Sequence, residues 1–110
     1  MKLPNTEQAI VDIAKLRDYS LDEMHEEGKH KARVFAAALG LGRDDADWLR
    51  TKLFEAIVRY DCVPGRNTPF GQRYLVDFPL ARGPHEARVR SVWNVRRGET
   101  APRLITCYVL

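Results

Sequence analysis

Residues 72–110, QRYLVDFPLARGPHEARVRSVWNVRRGETAPRLITCYVL, decide the fold of this chain. They contain three runs that are rich in β-branched and aromatic residues, which favour strands. The segments between the runs, ARGPH and RRGETA, carry glycine and proline, which favour turns. Short strands joined by short turns pair with their neighbours, so the pattern predicts an antiparallel meander. We expect its strands at residues 73–79, 86–95 and 103–109.

The first half of the chain follows a helical period instead. In GKHKARVFAAALG the apolar residues recur at helical spacing, and Gly40 supplies a C-terminal stop. Asp12 is placed to cap a short helix through IAKLRDY, because its carboxylate can accept from exposed first-turn amides. Asp44 or Asp45 can cap a longer helix through WLRTKLFEAIVRY in the same way. We expect the helices near residues 13–20, 30–40 and 45–60.

The segment CVPGRNTPFG, residues 62–71, lies between the two halves. Its prolines and glycines predict a connection without regular structure. Helices first and strands after predict the α+β class, with N-terminal helices packed on one face of a C-terminal antiparallel β-sheet of three to four strands. We expect one domain over residues 1–110, with a helical half at 1–61 and a β-meander half at 62–110.

Alternation along the strands predicts which side chains face away from the helices, since successive side chains point to opposite sides of a sheet. In the last strand Ile105 and Cys107 are expected to face the helices, and Leu104 the opposite side. The outer face then gathers arginines and hydroxyl groups, namely Arg73, Arg88, Arg90, Thr106 and Tyr108.

The net charge of +3 conceals an asymmetry between the halves. Residues 1–61 hold ten Lys/Arg against twelve Asp/Glu, whereas residues 62–110 hold eight Arg against three acidic residues. The planar fork of donors on arginine suits phosphate groups. The second half therefore favours an anionic partner, of which nucleic acid is the commonest, although arginines on strands can also serve only for solubility.

Several classes of protein are disfavoured by what the sequence lacks. No apolar run approaches the roughly 20 residues of a membrane span, and MKLPNTEQ does not read as a signal peptide. Cys62 and Cys107 have no spacing typical of a disulfide framework or a zinc site. We expect a cytoplasmic protein that needs no metal and no cofactor and has no membrane partner.

Residues 24–35, MHEEGKHKARVF, concentrate histidine and lysine just before an apolar helical face. Together with arginine, threonine and tyrosine, these are the side chains of metal-independent RNA cleavage, in which the ribose 2′-hydroxyl attacks the phosphate. A histidine titrates near neutral pH and can move the proton, while lysine and arginine stabilise the oxyanion charge. The candidate catalytic residues are His25, His30, Lys31, Thr106 and Tyr108.

Each candidate also has a structural interpretation. His25 can be a loop histidine that pairs with Glu23 or Glu26, and the neutral ring of His30 can cap a helix. Lys31 can be a solvated lysine, although a cation in the first turn of a helix opposes the helix dipole. Thr106 and Tyr108 can be ordinary strand formers.

The motif L-x3-H-x2-G-x2-K-A-x2-F is carried by Leu21, His25, Gly28, Lys31, Ala32 and Phe35. Together with the ending PRLITCYVL, it resembles a family of small, mostly uncharacterised bacterial domains that occur alone or as C-terminal toxin domains of polymorphic toxins. Those toxin domains are similar to the barnase–EndoU–colicin–RelE group of ribonucleases, whose fold is N-terminal helices followed by a four-stranded antiparallel sheet. The resemblance implies site residues at His25 and Lys31 in the helical motif and at Thr106 and Tyr108 in the last strand, and places His30 less securely.

The expected function is that of a metal-independent endoribonuclease, the toxin of a toxin–antitoxin or toxin–immunity pair with a small antitoxin or immunity protein as partner. In this interpretation His25 is the general acid or base, Lys31 neutralises the scissile phosphate, and Arg73, Arg88 and Arg90 bind flanking phosphates of the RNA backbone. The alternative is a non-catalytic nucleic-acid-binding or protein-binding module on the same fold. The ribonuclease interpretation predicts that His25 and Lys31 share one cleft with Thr106 or Tyr108, lined by at least one of the three arginines.

Overall fold

The computed structural model describes residues 1–110 and contains three helices followed by a four-stranded antiparallel sheet, in which the strands lie side by side in the order of the sequence. The helices are α1 (Ile13–Lys15, continued by a π-helical turn over Leu16–Ser20), α2 (Lys29–Leu39) and α3 (Ala46–Arg59). The strands are β1 (Val63–Thr68), β2 (Gly71–Arg82), β3 (His85–Val95) and β4 (Pro102–Val109). The predicted α+β class and the order of helices before sheet are confirmed. No helix has the length and apolar character that crossing a membrane requires.

The ends of the helices test the predicted capping residues. The Asp12 carboxylate accepts from the backbone N–H of Ala14 at 3.0 Å, which confirms the predicted cap of α1. α2 ends at Leu39, and Gly40 follows it as the predicted C-terminal stop, with φ of 67°. Asp45 was expected to cap α3 directly. Its carboxylate instead accepts from Gly42 N at 2.8 Å and stabilises the short 3₁₀ turn over Arg43–Asp45, which leads into α3.

The prediction of an irregular connection over residues 62–71 is wrong, because residues 63–68 form β1. This strand lies at the edge of the sheet, where Pro64 can turn its missing N–H away from the ladder. The register with β2 shifts between Pro64 and Asn67, so an irregularity absorbs the residues that fit a regular strand poorly. Glycine and proline therefore mark a distorted edge strand here and not a loop.

The core lies between the helices and the inner face of the sheet. Phe35 of α2, Phe78 of β2 and Trp93 of β3 are fully or almost fully buried there within one cluster of 20 residues. The indole N–H of Trp93 donates to Ser91 Oγ at 2.9 Å, and that hydroxyl donates to the carbonyl of Val76 at 2.8 Å. The indole N–H of Trp93 and the hydroxyl of Ser91 are thus both hydrogen-bonded, so that their burial leaves no polar group without a partner.

A bulge in β4 corrects the predicted assignment of faces. Val92 pairs with Thr106 and Trp93 with Leu104, so the intervening Ile105 is an extra residue on β4. Leu104 consequently faces the core beside Trp93, opposite to the prediction, and is 2% exposed. Thr106 and the residues after it keep the predicted alternation, which leaves Thr106 and Tyr108 outside the core.

Candidate functional site

Lys31 joins the two halves of the chain. From the first turn of α2 its ammonium group donates to Thr106 Oγ1 of β4 at 3.1 Å, across 75 residues of sequence. The same Nζ lies 5.5 Å from the ring centre of Tyr19 and 5.4 Å from that of Tyr108, within range of cation–π attraction. It forms no ion pair with a carboxylate. A half-buried ammonium held by one hydroxyl and two aromatic faces keeps its charge available for an anion.

A cavity of about 520 Å³ opens beside this ammonium at the edge of the sheet that β4 forms. We call it the Lys31 cleft, and its lining residues are Asp12, Ala14, Lys15, Tyr19, Lys31, Ile105 and Thr106. The volume is that of a typical small-ligand site, large enough for a nucleotide unit. The Asp12 carboxylate in its wall is engaged in capping α1.

His25 lies next to this cleft, separated from Lys31 by the ring of Tyr19. The two rings of His25 and Tyr19 meet edge to face with centroids 4.8 Å apart. The Nδ1 atom of His25 accepts from the backbone N–H groups of Glu27 and Gly28, each at 3.0 Å. An accepting Nδ1 carries no proton, so the proton of the neutral ring is on Nε2. His25 therefore offers an N–H donor towards its surroundings, and its partners differ from the predicted Glu23 and Glu26.

His30 does not cap a helix. α2 begins at Lys29 with Gly28 as its N-cap residue and no side-chain cap, so the alternative predicted for His30 is wrong. The backbone amides before the helix are satisfied by His25 instead. His30 is exposed and lines a second, mostly apolar depression of about 240 Å³, the His30 groove, which shares Lys31 with the cleft. The residues of this groove are His30, Lys31, Val34, Tyr108 and Val109.

The structure thus brings together most of the predicted catalytic residues. Lys31, Thr106 and Tyr108 are in mutual reach, His30 lies across a groove from Tyr108, and His25 is one aromatic ring away. The predicted arginine is missing from this group, because none of the three lines the Lys31 cleft or the His30 groove. The cleft opens at the edge of the sheet, whereas the arginines project from its outer face.

The three arginines differ in their surroundings. Arg90 forms a bidentate ion pair with Asp77, at 2.8 and 2.9 Å, and this pair lowers the pKa of the Asp77 carboxyl. The pKa of Arg90 is raised, first by Asp77 and next by Tyr108, its cross-strand neighbour. Arg88 lies two residues before Arg90 on β3 and is exposed. Arg73 lies on β2, where it pairs with Asn94 of β3. Much of the charge of Arg90 is therefore already neutralised.

The thiol nearest the site is not a nucleophile. Cys107 lies on β4 between Thr106 and Tyr108 and is fully buried, and burial raises the pKa of its thiol to about 12. A thiol in this state is protonated at neutral pH and unreactive. No group of three His, Cys, Asp or Glu side chains is arranged to hold a metal ion.

Sequence reasoning missed Tyr19, the residue that links His25 to Lys31. It lies in the π-helical turn after α1, in a stretch whose apolar pattern predicts only an ordinary helix. Such turns often occur at functional sites, but they leave no period in the sequence. Lys15 and Ile105 were missed for similar reasons, since only the fold brings them to the cleft.

Gly28 allows α2 to approach the Tyr19 segment closely, and we expect Gly28→Ala to destabilise the protein by about 1–3 kcal/mol. A β-carbon at this position would collide with the backbone carbonyl oxygen of Tyr19, which cannot swing aside as a flexible side chain would. Urea unfolding measures the loss. Gly42→Ala is the matched control, because nothing lies within 4 Å of a β-carbon there. Equal stabilities of the two variants would contradict this role of Gly28.

His25 has a structural role that can be separated from a chemical one. We expect His25→Ala to cost about 0.5–2 kcal/mol of stability, because it removes the acceptor of two backbone N–H groups, as loss of a helix cap does. His25→Asp should recover much of this loss, since a carboxylate can accept from amides two and three residues on. Thermal unfolding of the three proteins tests this expectation. An alanine variant as stable as the wild type would show that the two hydrogen bonds contribute nothing.

Comparison with known proteins identifies the family of the chain. No curated protein matches the chain, and no solved structure does. Residues 2–110 match the family described as a domain of unknown function, DUF6883. Since this match covers almost the entire sequence, from the first helical turns to the end of β4, the chain belongs to the DUF6883 family.

Proposed function

We propose that the protein is a metal-independent endoribonuclease whose reaction centre is at Lys31. The observation that carries this proposal is the position of the Lys31 ammonium, which contacts Thr106 Oγ1 and two aromatic faces, has no carboxylate partner and borders an open cleft. A cation held in this way suits the charge that develops on a phosphate under attack. The motif residues that resemble those of toxin ribonucleases also meet at this point, which supports the same reaction class.

The chemistry assigned to the centre needs only the groups of this chain and the RNA. The 2′-oxygen attacks the adjacent phosphorus while the bond from phosphorus to the 5′-oxygen breaks, leaving a 2′,3′-cyclic phosphate and a 5′-hydroxyl. Lys31 and Thr106 hold the non-bridging oxygens. The proton of the 2′-hydroxyl passes to an imidazole, and the 5′-oxygen takes a proton from water that reaches the open cleft. The imidazolium then gives its proton to the hydroxide left behind, which restores water and the neutral histidine.

His30 is the better base in this scheme. It is exposed beside Lys31, and both of its ring nitrogens are free of hydrogen bonds within the protein. His25 would have to give up two backbone hydrogen bonds before its Nδ1 could accept a proton, and its Nε2 already carries one. We therefore assign His25 the role of a donor and of an anchor for the ring of Tyr19, which in turn contacts Lys31, a change from the role expected from the sequence.

Incubation of the purified protein with a structured RNA in the presence of a metal chelator tests the proposal. We expect fragments that end in a 2′,3′-cyclic phosphate, and no cleavage of the same RNA when its 2′-hydroxyls are methylated. Fragments with 5′-phosphate ends, or cleavage that stops when the chelator is added, would contradict the mechanism.

The second candidate is a non-catalytic RNA-binding module. The observation in its favour is the engagement of His25 Nδ1 with two backbone amides, which is the arrangement of a structural histidine. This candidate predicts binding of RNA without any cleavage, so the same incubation followed by a binding measurement distinguishes the two.

A cytoplasmic toxin with a small antitoxin or immunity protein is the biological setting that we propose for the nuclease. Its support is the resemblance of the helical and last-strand motifs to toxin domains. Induced expression of the wild-type protein should then arrest growth, whereas expression of Lys31→Gln at the same level should not. Normal growth with the wild-type protein would contradict the toxin assignment and leave the nuclease to be tested in vitro.

A further inference from the structure

A second basic surface lies where the β1–β2 hairpin meets the turn between β3 and β4. Its carboxylate is that of Glu99, which contacts Arg103 at 3.3 Å and Arg96 at 3.9 Å, while Asp12 and Lys15 lie at its border with the Lys31 cleft. We call this surface the hairpin-end patch, and its residues are Arg66, Phe70, Arg73, Arg96, Arg97, Glu99 and Arg103. Five arginines against one carboxylate leave a net charge of +4.

The patch is one continuous surface because the strands hold its residues side by side. Arg73, Asn94 and Arg103 form a row across β2, β3 and β4, so the two arginines are separated by two strand spacings, roughly 10 Å. Arg97 ties the turn to the hairpin, since its Nη2 donates to the carbonyl of Thr68 at 3.1 Å.

Phe70 is the unusual member of the patch. Its side chain is 79% exposed, although the turn that carries it is firmly held. The backbone N–H of Phe70 donates to Thr68 Oγ1, and its carbonyl accepts from Asn94 Nδ2, both at 3.1 Å. Gly71, with φ of 134°, closes the turn against the carbonyl of Val95. A large aromatic ring on a fixed turn, exposed among arginines, contributes nothing visible to the core.

Outside the patch, ion pairs neutralise four of the eight arginines, namely Arg17, Arg43, Arg82 and Arg90. Asp18 pairs with Arg17 and Arg43, and Asp45 and Asp77 bind one arginine each. In the patch, three of the five guanidinium groups form no ion pair with any carboxylate, namely those of Arg66, Arg73 and Arg97. Their charge is available to an external anion.

We infer that the hairpin-end patch binds single-stranded RNA, with the arginines on successive phosphates and one base stacked on the ring of Phe70. Cationic grooves that also present an exposed aromatic ring are typical of proteins that bind single strands, because every base has a face that can stack. The near absence of carboxylates favours a polyanion over a protein partner. The choice of RNA over DNA rests on the proposed function, whereas the binding itself needs no cleavage.

The patch is continuous with the Lys31 cleft. A depression of about 180 Å³ runs from Asn94 and Arg103 to Ile105, and it shares Asp12, Lys15 and Ile105 with the wall of the cleft. Arg103 and Thr106 are three residues apart on β4, a distance of roughly 10 Å. A strand bound at the patch can therefore continue to the Lys31 ammonium without crossing the core.

Fluorescence anisotropy with a labelled single-stranded RNA whose 2′-hydroxyls are methylated tests this inference, since the probe can bind but cannot be cleaved. We expect Phe70→Ala to weaken binding about tenfold, as loss of one stacked base does. The double variant Arg66→Gln/Arg73→Gln should bind more weakly and should lower the slope of log K against log salt by about 1.4, roughly 0.7 for each lost phosphate contact.

The matched controls are Val58→Ala and Arg59→Gln on α3. They remove an exposed apolar residue, 64% exposed, and an exposed arginine without a carboxylate partner, and should leave binding unchanged. The inference would be overturned if the variants Phe70→Ala and Arg66→Gln/Arg73→Gln bound the probe as tightly as the controls. It would also be overturned if the wild-type protein did not bind the probe, because the patch would then face another class of partner. A protein that binds through Phe70 but cleaves no RNA would refute the proposed function alone.

Discussion

Replacing Lys31 with glutamine should lower the rate of RNA cleavage by about 10²–10³-fold, the loss typical of removing one group that stabilises a developing oxyanion. Glutamine keeps a polar donor on the side chain but is one bond shorter, so the change removes the charge and lengthens the contact with Thr106. The effect should fall on kcat more than on KM, because the phosphate gains its extra charge only in the transition state. Initial rates on a fluorogenic oligoribonucleotide, with chelator present, measure it.

Lys29→Gln is the control for this experiment. Lys29 is the first residue of α2, two positions before Lys31, and it lines neither the Lys31 cleft nor the His30 groove. The control removes the same charge from the same helical turn and should cleave at the wild-type rate. A Lys31→Gln protein that is folded and as active as Lys29→Gln would show that the reaction centre lies elsewhere.

Replacing Trp93 with alanine should destabilise the protein by about 3–5 kcal/mol, as loss of a fully buried aromatic side chain usually does. Trp93 is 0% exposed and lies under the helices with Phe35 and Phe78. The change also removes the indole donor to Ser91 Oγ. Because domains of this kind are stable by only about 5–15 kcal/mol, the midpoint of urea unfolding should fall sharply.

Trp48→Ala is the matched control, since Trp48 is the other tryptophan of the chain. It is half-buried on α3, and the cations of Lys52 and Arg82 lie 5.6 Å and 5.0 Å from its ring centre. We expect a loss near 1 kcal/mol, the usual value for a partly exposed position. Equal losses in the two variants would contradict the position of Trp93 at the centre of the core.

The period of the sequence predicted the helices and three of the four strands, because burial on one face imposes that period. It failed at β1, where an edge strand buries little and its glycine and proline resemble a loop. It failed again at Leu104, because a single extra residue on β4 reverses the alternation and has no signature in composition. Both errors arise where pairing geometry, not burial, decides the conformation.

The site was predictable as a set of residue types and not as a set of roles. Lys31 and Thr106 could be paired because the chemistry of phosphate transfer requires a cation and hydroxyl groups together. The engagement of His25 by two backbone N–H groups could not be predicted, since it depends on whether those groups point at an imidazole nitrogen. Tyr19 could not be predicted either, because its contact with Lys31 exists only once α1 and α2 are packed.

The groups that contact the Lys31 ammonium are synthesised at different times. A chain is made from its N-terminus, so α2 leaves the ribosome long before β4, whose residues include Thr106 and Tyr108. A nascent chain that ends before residue 102 holds the ammonium group but lacks the hydroxyl and one of the two rings that fix it. The contacts of Lys31 with Thr106 and Tyr108 therefore form only after β4 has been translated.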